Sequence, residues 1–125
     1  MKKMITTMIL ALKEVEGMID KAREAVERSE NLSAADSENL SAADLLIGAL
    51  LAADRSADYL ARAIQLNGSG NKVDAAYYCK KAKIMADMAY KHAELAIKEA
   101  ALAEKAIYDA AKAAKGGGKC SKCSN

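Results

Sequence analysis

The chain has no proline, no tryptophan and no phenylalanine, and its five tyrosines are the only aromatic residues. Valine and threonine are nearly as scarce, with three and two copies. Strands favour β-branched and aromatic side chains, so this shortage excludes sandwiches, barrels and doubly wound sheets. No apolar run approaches the ~20 residues that a membrane-spanning helix needs. Only one histidine is present, which leaves no acid–base couple of the usual kind. No glycine-rich phosphate loop follows a strand, and no pair of Glu-x-x-His motifs of the di-iron type occurs. These absences point away from an enzyme.

What fills the space is alanine, 28 of 125 residues, together with leucine, glutamate and lysine. These are the strongest helix formers. The length suits one domain. We therefore read an all-α fold: an antiparallel bundle of three long helices, four if the last one breaks, with Ala-rich packing of coiled-coil type. The bundle is expected over residues 1–115, with a flexible Gly/Lys/Cys tail over 116–125.

Hydrophobic spacing places the helices. Ile5, Met8, Leu12, Val15, Ile19, Ala22 and Val26 recur at alternating steps of three and four, predicting a helix over about residues 3–30. The eight residues Ser29–Asp36 are then repeated without change as Ser37–Asp44. Eight residues are not a whole number of helical turns, so the copy reads as a duplication in a connector. Only the second copy has a leucine, Leu40, ahead of the cap with an apolar partner at Leu45. This hydrophobic staple starts helix two after Ser41.

Helix two, about 42–66, presents Leu46, Leu50, Ala53, Ala57, Leu60 and Ile64 on one face. Asn67-Gly-Ser-Gly-Asn71 ends it, and Asn71 with Asp74 caps helix three, about 72–115. The seam of helix three runs through Tyr78, Ala82, Met85, Ala89, Ala93, Ala96, Ala100, Ala103, Ile107, Ala110 and Ala114, flanked by Met88, Leu95 and Leu102. At ~1.5 Å per residue it outreaches its neighbours by roughly 25 Å. A break, a folded-back connector or a second subunit would cover that end. The last is the reading taken, with Leu95, Ala96, Leu102, Ala103, Ile107 and Ala110 as the contact.

The net charge of +2 divides unevenly. Residues 1–62 hold 8 basic and 11 acidic groups, and residues 63–125 hold 11 and 6, giving −3 and +5. That asymmetry suits intrachain packing or end-to-end association of copies. No aromatic–basic alternation suggests nucleic acid, and no membrane partner is expected. The run Met4–Leu12 is followed at once by Lys13, Glu14 and Glu16, unlike a signal peptide. With three cysteines, an odd number, the expectation is free thiols in a reducing, cytoplasmic setting.

Two constellations could carry chemistry. Cys120 and Cys123 form a C-x-x-C pair able to take Zn or Cu, which makes a small metal- or thiol-binding protein the alternative function. Cys79 and His92 would lie roughly 54 and 35 Å from the tail's root along a continuous helix, out of its reach. Met85, Met88 and His92 share a helical face suited to Cu⁺. A methionine–histidine pair, His92 with Met18, is similar to the haem ligation of four-helix b-type cytochromes. Gly70–Ala82 resembles part of a tetratricopeptide repeat, but no second copy follows. No cofactor is expected. An engineered bundle without a biological role is a further alternative, suggested by the unbroken duplication and the Gly-Ser-Gly loop.

Overall fold

The computed structural model of the chain describes residues 1–32 and 40–123, with side chains described for 1–29 and 41–114. It contains three helices: α1 (Lys2–Leu32), α2 (Leu40–Gly68) and α3 (Lys72–Cys123). No strand occurs among the described residues. The connector expected at 31–40, with its repeated octapeptide, lies largely outside them.

The helices run up, down and up. Ala42 shares a small buried cluster with Ala100, Gly48 faces His92, and the Ser56 hydroxyl donates to the Ala82 carbonyl at 2.6 Å. Rising numbers on α2 meet falling numbers on α3, so this pair is antiparallel. Met8 lies beside Cys79, Val15 beside Ala86, and Arg28 pairs with Glu104, so α1 runs parallel to α3. The α2–α3 contact is the most extensive of the three and the α1–α2 contact the least.

The core is built mainly from small residues. Ala22, Ala42, Ala49, Ala63, Ala75, Ala82, Ala89, Ala93, Ala96 and Ala100 are all fully buried. Alanine lets helix axes approach closely and costs no side-chain entropy, but each buries little area. Larger residues therefore wrap the contact. Val15, Ile19, Val26 and Leu60 are buried, while Leu12, Leu46, Leu50 and Ile97 pack half-buried on the rim.

On α1 the expected seam is the buried one. On α2 it is rotated. Ala57 is exposed and Ile64 is 46% exposed, while Ala49, Ala52, Ser56 and Ala63 point inward. The leucine row follows the broad apolar stripe, whereas the line of closest approach selects the smallest side chains beside it. Ser56 can stand on that line because its hydroxyl finds the Ala82 carbonyl.

The turn between α2 and α3 follows the expected chemistry in detail. Gly70 has φ +84°, the left-handed conformation a helix C-cap requires. The Asn71 amide donates to the Leu66 carbonyl at 2.9 Å and the Gly70 amide to Asn67 at 3.1 Å, the paired bonds of a Schellman motif. Asn71 then caps α3, its Oδ1 accepting from the Asp74 amide at 3.2 Å and its Nδ2 donating to the Asp74 carboxylate at 2.8 Å.

Helix α3 is continuous, so the four-helix variant of the expected fold does not occur. With no proline to break it, its backbone carries on through Gly116–Gly118, where the sequence placed its end. Side chains from Lys115 onward, and hence the flexible-tail expectation for 116–125, lie outside the described ones.

Candidate functional site

Helix lengths define the site. α1 and α2 have 31 and 29 residues, and α3 has 52. α3 begins level with the end of α2, so its excess projects from the opposite end of the bundle. The Arg28–Glu104 ion pair, 2.7 Å, is the last tie between α1 and α3 among the described side chains. From Lys105 to Ala114 every residue is exposed except Ile107, which is half-buried. The helix continues to Cys123, so residues 105–123 run about 28 Å past the ion pair, the first four of them alongside the last turn of α1.

The six residues expected at a subunit contact divide. Ala96 is fully buried in the chain's own core among α1 and α2 side chains, so it is not free to meet another molecule. The sequence placed it in the contact because alanine at a seam position reads the same for an internal or an external neighbour. Leu95 and Leu102 are 47% and 61% exposed. Ala103 and Ile107 are half-buried, and Ala110 is exposed on the extension.

Leu95 and Leu102 belong to a longer exposed row. Ile84 and Met88 precede them on α3, and Ile47 and Leu51 face the same side from α2. Met88, Met85, Leu51 and His92 line one shallow groove of about 310 Å³ that also contains Arg55. The His92 Nδ1 lies 2.8 Å from the Met88 carbonyl, one turn earlier. The ring packs against Gly48, where an added Cβ would sit 3.1 Å from Cδ2. The groove is walled by α2 and α3 alone, while Met18 packs on the main core from α1. His92 and Met18 therefore do not form the haem-type pair the sequence suggested.

Cys79 is 2% exposed beneath Met8, and burial pushes its thiol above the ordinary value. A buried thiol in apolar surroundings is inert. The side chains of Cys120 and Cys123, the expected metal pair, lie outside the described ones. Among the described residues no three His, Cys, Asp or Glu side chains converge as metal ligands.

One cluster escaped the sequence reading. Tyr59, Tyr77 and Tyr78 gather where α2 meets α3, with ring centroids 6.1 and 5.3 Å apart for successive pairs. Lys81 lies 5.5 Å from the Tyr59 ring and 5.0 Å from Tyr77, and Arg62 lies 6.0 Å from Tyr78. A hydrogen bond with Tyr77 is the main cause raising the Lys81 ammonium above its ordinary value. The aromatic–basic grouping that the linear sequence does not show is thus assembled by folding. Its signal was the Tyr77–Tyr78 pair one turn ahead of Lys81, opposite Tyr59 across the turn. The cations here are engaged with rings and clamp the hairpin end of the bundle.

No helix among the described residues is long and apolar enough to cross a membrane. No known protein family matches the chain, and neither a curated protein nor a solved structure does.

Proposed function

We propose that the chain is a structural, protein–protein interaction bundle that associates with copies of itself through coiled-coil-like contacts. One observation carries this reading. Helix α3 outruns both neighbours, and the described part of its extension is alanine-rich, with Tyr108 68% exposed and Ile107 half-buried. An isolated helix of this length is marginal in water, so most of its stability must come from packing against something. Leu95 and Leu102 extend the exposed apolar surface back along the bundle.

Static light scattering at tens of micromolar tests the proposal. A mass above that of one chain, reduced by Leu102→Glu with helicity retained, supports it. A wild-type mass of one chain across the concentration range ends it. No geometric observation favours the metal- or thiol-binding alternative at Cys120 and Cys123.

A further inference from the structure

The weakest of the three helix–helix seams, between α1 and α2, opens outward as a groove of about 210 Å³. Its floor is apolar, formed by Leu12, Leu50 and Ala53. Its rim carries Glu16, Asp20 and Asp54 against the single cation Arg23, a local balance of −2. All four side chains are exposed, and none of the carboxylates has an ion-pair partner among the described residues.

We propose that this groove receives the α3 extension of a second copy, so that two bundles meet end to end and each gains a fourth helix by reciprocal exchange. The inference rests on the self-association reading and names the surface it uses.

Charge selects the occupant. Residues 105–123 contain five lysines and one aspartate, a balance of +4, which complements the acidic rim. Shape agrees: Ala106, Ala110, Ala111, Ala113 and Ala114 are all exposed, and small side chains allow a close approach to the apolar floor. Tether geometry rules out the chain's own extension. It continues α3 as one unbroken helix, which carries it away from its own α1 and α2.

Length agrees as well. Taking the Arg28–Glu104 pair as zero, the groove runs from Arg23 to Leu12, which is ~8 to ~24 Å below that level. The extension reaches ~28 Å above it. Because α1 runs ~6 Å past that level to Leu32, bundles meeting end to end place the two-fold axis at ~6 Å and the partner's groove at ~20 to ~36 Å, so each extension reaches along about half of it, from the Arg23 end. Of the rival grooves, the one between α2 and α3 carries Arg55 and no carboxylate, while the one between α1 and α3 has Glu14, Asp87 and Glu94 against Lys91, the same balance of −2, so the Glu16 and Asp20 reversal is what separates it from the groove proposed.

The test uses charge reversal at exposed positions, with circular dichroism confirming the fold of each variant. Glu16→Lys/Asp20→Lys in one full-length chain, and Lys105→Glu/Lys112→Glu in another, should each weaken association by at least about ten-fold. An equimolar mixture should recover the wild-type mass, because the wild-type extension of one chain then meets the wild-type groove of the other, and the reversed segment 105–112, whose balance is then −3, meets the reversed rim. If the reversed chains keep the wild-type mass, or the mixture fails to recover it, this docking mode is wrong. If Leu51→Glu/Met88→Glu disperses a dimer that both reversals leave intact, the contact is on the α2–α3 face and self-association stands without this groove. A monomeric wild type removes both proposals together.

Discussion

At the scale of single residues, small side chains determine where the helices meet. Gly48 and Gly17 show how. Both sit inside helices, where glycine costs about 1 kcal/mol relative to alanine. A Cβ on Gly17 would touch nothing within 4 Å, whereas one on Gly48 would press on His92 Cδ2 at 3.1 Å. Gly17→Ala is expected to stabilise by about 1 kcal/mol, and Gly48→Ala by clearly less or not at all. Adding Gly48→Ala to a His92→Ala background should restore the full gain, because the obstructing ring is gone. Urea denaturation of the four variants measures this. The same scale explains what the sequence concealed. Ala57 and Ile64 fit an apolar helical stripe as well as Ala49 and Ala63 do, but only the latter pair is buried. Periodicity weighs hydrophobicity, while close packing weighs size, and on α2 the two lines differ by a fraction of a turn.

Cys79 offers a second measurement at this scale. Its folded-state thiol lies above the ordinary value of 9.0 because burial penalises the thiolate. The folded form therefore holds its proton to higher pH than the unfolded form does. Cys79 contributes its full share of stability below the unfolded value, and that share is lost as pH rises past about 9 toward the raised folded value. In a Cys120→Ser/Cys123→Ser chain, the remaining thiol should react with a disulfide reagent only at the rate of global opening. Prompt labelling at neutral pH would contradict the burial.

At the scale of elements, most of the structure was legible. Three amphipathic segments gave three helices whose ends fall within about two residues of expectation, apart from the far end of α3. The Asn71–Asp74 cap and the glycine turn were readable because each needs a particular residue at a particular place. The start of α2 was less so. The staple argument put the cap at Ser41, yet the helix begins at Leu40. Glycine is required at 70 by its φ of +84°. Gly70→Ala should cost more than about 1 kcal/mol, since alanine is strained there. Asn71→Ala should cost about 1 kcal/mol by removing the cap. Thermal melts of the two variants check both values. Ser69→Ala, which loses only an exposed bond from Oγ to the Gln65 carbonyl, should change little by comparison.

At the scale of the whole molecule, the sequence could show that α3 is too long but not what meets it. An alanine on a seam is equally suited to its own bundle or to a neighbouring one. Ala96 and Leu102 now separate those roles. Ala96 is fully buried inside the chain, so Ala96→Leu overpacks the core and should destabilise the fold by about 1–3 kcal/mol. Leu102 is 61% exposed, so Leu102→Glu should change the stability of a dilute, monomeric sample by less than about 0.5 kcal/mol. Association should respond in the opposite order. Leu102→Glu lowers the mass seen by light scattering, and folded Ala96→Leu leaves it unchanged. Melting temperatures measured across a concentration series add an independent readout. Association raises the wild-type melting temperature with concentration by mass action, and that slope should vanish in Leu102→Glu but persist in Ala96→Leu. If both substitutions moved stability and mass together, folding and assembly would be one process, and the extension of α3 would be part of a single obligate core shared between chains.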